Sequence, residues 1–394
     1  MKILLCHNFY QQTGGEDVAV TALKDLLEQK GHDVIFYSEN SREIGKYSAF
    51  QKIGFFPQAV FSARTYRRMQ RIAQQERPDV AHVHNVFPLI SPALYVALNR
   101  TGVPIVQTVH NFRFMCINGL FLRNGRICEL CKTGNFVSGV RYKCYRNSYT
   151  LSGLYAATIG SHRRWGTFKR IDRFIALSHF AATKIAESGV ADASKICVLE
   201  NFLPAPLPEY GDFDCARPYI VYIGRLSHEK GILTLLETMR GLKRLRLKIM
   251  GSGPLREAIE NYVNVHRLQN VEILGFIDGE EKYRILRGAL CCVVPSECYE
   301  NFPFPVIESA AVGRPVVASR IGSLATFVAE GTTGLLFGAG NSADLQAKVE
   351  LLVSNPDTAT RMGRAARQWV TTKYMPDIHY EGLMKIYTEL AQKV

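Results

Sequence analysis

Short apolar runs recur along the whole chain, and between them apolar positions return every three or four residues. KILLC (2–6) is apolar on both faces once past Lys2, so it reads as a buried strand. EDVAVTALKDLLEQKG follows with helical spacing, Gly31 stops it, and DVIFYS begins the next strand. DVAHVH, PIVQTVH, DRFIALS and KICVLEN continue the series, with SPALYVALNR and HFAATKIAESG as helices in the gaps. Strands alternating with helices predict an α/β fold whose parallel sheet is covered on both faces.

NFLPAPLPEYGDF (201–213) breaks the pattern, because three prolines within residues 204–208 can continue neither a helix nor a central strand. The alternation then restarts with PYIVYIG, LRLKIMG, VEILGF, LCCVVPS, PVVAS and TGLLF. Two Rossmann-like, doubly wound parallel-sheet domains are expected, residues 1–203 and 204–375, facing each other across a cleft. The closing segment, 376–394, reads as an amphipathic helix. A length of 394 residues fits two hydrophobic cores better than one. The apolar run in MKILLCHNFY is too short for a signal peptide and no later run reaches membrane-span length, so the expected location is cytoplasmic.

Ligands of open parallel sheets bind beyond the carboxyl ends of the strands, which selects the residues to inspect. Gly14 and Gly15 follow the first strand and precede a helix, so backbone N–H groups there can approach a ligand. A GxGxxG fingerprint is absent: MGSGPLRE offers Gly251 and Gly253 but Arg256 where a third glycine belongs, which argues against a nicotinamide cofactor. Arg225 and Lys230 leave the strand PYIVYIG just before a helix near Gly231, an arrangement suited to phosphate oxygens. CYENFPFPVIES (298–309) places Glu300 in the loop beyond LCCVVPS, Pro305 at the start of a helix, and Glu308 in its first turn. The backbone between them, through Asn301 and Phe302, offers N–H groups to a diphosphate, while the two carboxylates can accept from sugar hydroxyls.

The Glu300–Glu308 spacing, Arg225 with Lys230, the Gly14-Gly15 loop and His110 after PIVQTV together resemble the retaining glycosyltransferases of family 4, which have the GT-B fold. The resemblance spans the whole chain. It implies that Arg225 and Lys230 neutralise the donor diphosphate, that Glu308 holds the ribose and Glu300 the transferred sugar, and that His110 contacts that sugar near the reacting centre. Gly14, Gly15, Gly251, Asn301 and Phe302 fall on the donor side, and the C-terminal helix crosses back to the first domain. Asn301 stands where the family pattern has glycine, which bears on sugar preference. Fixed cations and helix N–H groups stabilise the leaving phosphate without a metal, so no cofactor is required for catalysis. Asp212-Phe213-Asp214 resembles the metal-binding triplet of another glycosyltransferase fold but lies in the linker. The implied function is transfer of a sugar from a nucleoside-diphosphate sugar to a saccharide or lipid-linked acceptor, in surface polysaccharide or glycolipid synthesis. The competing readings are a nucleotide-sugar epimerase or hydrolase on the same frame, and a zinc-containing nucleic-acid-binding protein.

Charge and cysteines add two further expectations. Residues 1–200 hold 26 Lys+Arg against 14 Asp+Glu, leaving 22 against 21 for the rest, so the +13 net charge sits almost wholly in the first half. Within 141–173 eight basic residues meet one acid beside Leu151, Trp165 and Phe168, and with FSARTYRRMQR (61–71) this suits an anionic membrane surface rather than nucleic acid. Cys116, the CxxC pair Cys128 and Cys131, and Cys144 form a candidate structural zinc site within an insertion at 111–150, with free thiols as the plainer reading. His82 and His84, two apart on one strand, either line the acceptor side or satisfy local hydrogen bonds.

Overall fold

A computed structural model describes residues 1–11, 14–46, 57–204, 206–211 and 216–392. Cys215 and the Asp212-Phe213-Asp214 triplet lie outside the described residues. The chain divides into two compact units: Met1–Phe121 with Cys128–Phe202 and Pro376–Val394, and Leu203–Met375 with Leu122–Ile127.

Unit 1 holds the strands β1 (Lys2–Phe9), β2 (Asp33–Asn40), β3 (Val80–Val83), β4 (Ile105–Val109), β7 (Arg173–Ala176) and β8 (Ile196–Val198), numbered so that β5 (Leu122–Arg123) and β6 (Arg126–Ile127) form a small hairpin. All six pair in parallel, in the order β2-β1-β3-β4-β7-β8. Ile3, Leu4, Leu5 and Cys6 have no exposed surface, as a two-face-covered strand requires. The helix Gly15–Gln29 turns Val20, Leu23 and Leu27 onto this sheet, and the helix Pro376–Ala391 brings Leu383, Tyr387 and Leu390 into the same core. Each such side chain contributes about 1.5–3 kcal/mol through burial. Polar contacts at its edge fix that last helix: Lys30 pairs with Asp377 at 2.6 Å, and His32 meets the Tyr380 hydroxyl at 2.8 Å.

Unit 2 repeats the plan with β9 (Tyr219–Ile223), β10 (Arg246–Met250), β11 (Val271–Gly275), β12 (Cys291–Val294), β13 (Val316–Ser319) and β14 (Gly334–Phe337), all parallel in the order β11-β10-β9-β12-β13-β14. Its core gathers Leu235, Leu236, Leu247, Ile249, Val293, Val317 and Phe337. The strand order reverses between β1 and β3 in unit 1 and between β9 and β12 in unit 2. Loops diverge at such a switch point and leave a crevice at the strands' carboxyl ends. The segments that flank these points are the ones around Tyr10 and Gly14 and the stretch from His84 in unit 1, and residues 224–231 and 295–303 in unit 2.

Candidate functional site

At the unit 2 switch point the loop after β9 and the loop after β12 are joined by an ion pair. Lys230 Nζ donates to Glu300 Oε1 at 2.6 Å, and Ser296 Oγ donates to the same oxygen at 2.6 Å. Both loops are held by their own backbones: Leu226 N–H donates to Ser252 O at 3.0 Å, Glu297 N–H to Glu229 O at 2.9 Å, and the Ser323 hydroxyl to Glu300 O. Glu297 also accepts from Thr234 Oγ1 at 2.6 Å, which ties the second loop to the helix Ile232–Met239. Burial alone would lower the Lys230 ammonium, yet the Glu300 carboxylate beside it wins and holds it well above its usual value. Lys230 is therefore a permanent cation. Arg225, on the same loop, is exposed.

Glu308 differs from the expectation drawn from its neighbours. The helix begins at Phe304 with Pro305 in its opening positions, so Glu308 falls a turn further in and no acid occupies the first turn. Its carboxylate is held instead by Lys282, at 3.0 Å, with both side chains 13% exposed. Lys282 also pairs with Asp278 at 3.0 Å. The Glu308 charge raises the Lys282 ammonium against the opposing effect of burial. Lys282 carries no motif in the sequence; only its position four residues after Asp278, at the start of a helix, marks it.

The side chains of Asn301 and Phe302 are buried, and Phe302 packs in an aromatic cluster 5.1 Å from Phe304 and 5.2 Å from Phe327. What this stretch can present to a ligand is therefore backbone, not side chain. Gly251 answers to steric need: a Cβ there would lie 1.9 Å from Gly224 O, so glycine lets β9 and β10 release their loops side by side.

In unit 1, Asp17 organises the loop after β1. Its carboxylate accepts from Gly14 N–H at 2.9 Å, from Tyr10 N–H at 3.4 Å, and contacts His7 Nε2 at 2.8 Å, closing the amino end of the helix Gly15–Gln29. Nothing lies within 4 Å of where a Gly14 Cβ would sit, and its φ of −124° suits any residue. The fold does not demand glycine at this point. Gly14→Ala is expected to leave Tm within about 1 °C while weakening nucleotide binding severalfold; full retention of affinity would show that no ligand comes close to this backbone.

Beside it, the Tyr10 hydroxyl donates to Glu16 Oε2 at 2.6 Å, and Asn111 Nδ2 donates to that oxygen at 3.1 Å. Burial lifts the Glu16 carboxyl above its ordinary range, against the pull of His7, Tyr10 and Arg113. Sequence reading passed over Glu16, whose only signal is its place at the helix start beside Gly14-Gly15.

A histidine group stands at the ends of β3 and β4. His110 Nε2 and His84 Nδ1 are 2.8 Å apart. His82 is buried, with Nδ1 2.6 Å from the Tyr387 hydroxyl and Nε2 2.7 Å from Thr108 Oγ1, so its ring has no nitrogen left for an acceptor and serves local hydrogen bonding.

Two family models match the chain: Glycosyltransferase Family 4 over residues 13–205 and Glycosyl transferases group 1 over residues 211–369. The chain belongs to glycosyltransferase family 4. Relatives of this glycosyltransferase include the uncharacterized glycosyltransferase MJ1178 of Methanocaldococcus jannaschii, 24% identical over 99% of both chains. The 2-deoxystreptamine N-acetyl-D-glucosaminyltransferase of Niallia circulans is 28% identical over 79% of this chain and 76% of its own. Among solved structures, sucrose-phosphate synthase from Thermosynechococcus elongatus matches with TM-score 0.74 and 19% identity over 100% of both chains. Anabaena Alr3699/HepE in complex with UDP matches with TM-score 0.71 and 15% identity, over 99% of this chain and 100% of that one. These structural likenesses establish the GT-B fold.

Burial, and behind it the neighbouring imidazoles, hold the His82 ring down to about 3 in this glycosyltransferase, and burial does the same to His379, to about 4. Burial, then the nearby His7, holds His110 down to about 3. All three are neutral in the folded enzyme, whereas an unfolded histidine takes up a proton near its usual value of about 6.5. Their contribution to stability is thus whole above pH ~6.5 and is lost as pH falls toward 4. The unfolding free energy should drop by about 1.4 kcal/mol per pH unit for each histidine below that point. A urea midpoint constant between pH 7 and pH 5 would contradict this.

The four insertion cysteines gather around Cys131, whose thiol is influenced by the other three. Among the described residues no group of three or more His, Cys, Asp or Glu side chains is positioned to hold a metal ion. Cys116 is buried and its Sγ donates to Asn118 Oδ1 at 3.0 Å. Burial first, then the thiols of Cys116, Cys144 and Cys128, push Cys131 up to about 11.

The basic segment also divides. Phe168 and His162 are core residues, and Arg163 turns inward to donate to Phe114 O and Ser188 O. Trp165 and Tyr149, both 57% exposed, remain at the surface. No helix among the described residues is long and apolar enough to cross a membrane.

Proposed function

We propose that this glycosyltransferase is a retaining enzyme that moves a hexosyl or N-acetylhexosaminyl group from a nucleoside-diphosphate sugar to a saccharide or lipid-linked acceptor, in assembly of a cell-surface polysaccharide or glycolipid. The observation that carries the reading is the Lys230–Glu300 pair at the unit 2 switch point, with Lys282–Glu308 beyond it. Lys230 and Arg225 supply fixed positive charge for the donor diphosphate. Both bonds to the Glu300 carboxylate fall on Oε1, leaving Oε2 to accept from hydroxyls of the transferred sugar. Glu308, oriented through Lys282, serves the ribose in the same way.

In the transfer, the bond between the anomeric carbon and the phosphate oxygen breaks and its electron pair leaves with the nucleoside diphosphate. The acceptor oxygen bonds to the same face of that carbon, and its proton passes to the departing phosphate oxygen. Negative charge develops on that phosphate, and preorganised cations stabilise it with little reorganisation at the moment of reaction. The UDP complex of the neighbour HepE and the N-acetylglucosaminyl transfer named for one relative accord with this class of donor. Incubating the enzyme with a panel of nucleotide sugars and acceptors tests it. A glycosylated product with retained anomeric configuration is expected; a free sugar or an epimer as the main product, with acceptor present, would favour the epimerase or hydrolase reading.

A peripheral site on the inner face of the cytoplasmic membrane fits the surface of unit 1. Arg64, Arg67, Arg68 and Arg71 are all exposed on the helix Ala63–Glu76 at spacings that share one face. Leu130, Val137, Tyr142, Tyr149 and Trp165 are exposed as well. Co-sedimentation with vesicles should rise with anionic lipid content and fall when the four arginines are replaced by glutamine. Binding indifferent to lipid charge would remove this proposal.

A further inference from the structure

His84 has no role in the transfer as described, yet its environment is among the most constrained in unit 1. It follows β3, 5% exposed, and its backbone is held on both sides: its N–H donates to Cys6 O at 3.0 Å, and its carbonyl accepts from Gln107 Nε2 at 2.7 Å. Gln107 is itself fixed by the Tyr95 hydroxyl. The ring lies between two others, 4.3 Å from His82 and 5.1 Å from His110 between centroids, both tilted by about a third of a right angle. His82 cannot give way, since both its nitrogens are engaged. A ring so enclosed has one orientation.

That orientation has a chemical consequence. His84 Nδ1 and His110 Nε2 stand 2.8 Å apart, a distance that needs one donor and one acceptor. Burial keeps both rings neutral, so each carries a single ring proton. His84 Nε2 is buried and without a partner among the described atoms. If His84 accepted at Nδ1, its proton would sit on that unpartnered Nε2, leaving a buried N–H unsatisfied. If His84 donates from Nδ1, only a lone pair is left there, the cheaper of the two faults. His110 then receives at Nε2, and its own proton must lie on Nδ1.

We propose that His84 is a positioning residue that holds His110 as the Nδ1–H tautomer, making the partly buried His110 a fixed hydrogen-bond donor toward the transferred sugar. The inference rests on the reading of His110 as a sugar contact, and it adds what sets that contact's polarity. The nitrogen that faces a ligand is decided by the bond the other nitrogen makes.

Two measurements test it on the full chain. Nitrogen NMR of histidine-labelled, ligand-free enzyme is expected to show His110 protonated at Nδ1 and bare at Nε2; protonation at Nε2 overturns the proposal, whatever the activity. Kinetics of His84 variants supply the second. His84→Gln, whose amide reaches the Nε2 position, should lower kcat on the order of tenfold or more with donor KM little changed, because a misoriented group costs rate before affinity. His84→Asn, whose amide nitrogen can occupy the Nδ1 position, should recover most of that loss. Equal kcat for the two variants at matched Tm would overturn the positioning role. Should the unaltered enzyme transfer no sugar from any nucleotide sugar, the reading of the site fails, while the nitrogen shifts still decide the tautomer.

Discussion

Lys230→Ala is expected to reduce turnover by roughly 10²–10³-fold at saturating donor, the range found when one preorganised charge-stabilising group is removed. The reason is geometric. Lys230 is anchored by a 2.6 Å bond to Glu300, on loops whose backbones are tied to neighbouring strands and helices, so its charge is in place before substrate arrives. The same substitution has a measurable but smaller effect on folding. With Lys230 30% and Glu300 13% exposed, the pair lies between an exposed pair worth about 1 kcal/mol and a fully buried one whose disruption costs about 3–5 kcal/mol. Glu300 keeps the Ser296 hydroxyl when the ammonium is gone, which favours the lower end. A fall in Tm of a few degrees beside a hundredfold or greater loss of kcat is the expected pattern. Turnover within tenfold of the unaltered enzyme would mean that the ammonium does not meet the developing charge.

Gly231→Ala is expected to act in the opposite proportion, destabilising unit 2 by more than about 4 kcal/mol, the range reserved for severe backbone and packing faults. Gly231 has φ +66°, and a Cβ added there would stand 1.8 Å from the carbonyl oxygen of Pro295. That carbonyl belongs to the loop that carries Glu300, so neither side can retreat without separating the two halves of the site. The left-handed backbone adds about 1 kcal/mol or more for any residue with a side chain. Urea unfolding followed by circular dichroism should show a large loss for unit 2. A midpoint unchanged within error would show that the two loops do not pack this closely.

Much of this architecture was legible in the amino-acid pattern. Strands such as KILLC, LCCVVPS and PVVAS announced themselves because a strand buried on both faces must be continuously apolar, and their neighbours showed helical spacing for an equally local reason. Arg225, Lys230 and Glu300 stood out by residue type at strand ends. Phe168 and Arg163 misled because composition does not say which way a side chain faces: one is core, the other spends its donors on backbone carbonyls. Glu308 was expected at a helix start, and the actual start at Phe304 moved it by a turn.

The sequence alone determined the two Rossmann-like sheets and the chemical types available at their strand ends, because periodicity and residue chemistry are local properties. Only the tertiary structure decided partners: Lys230 with Glu300 across seventy positions, Lys282 with Glu308, and His84 with His110. Those pairings depend on the order in which strands are laid into a sheet, a choice settled by packing of the whole unit and written in no single segment.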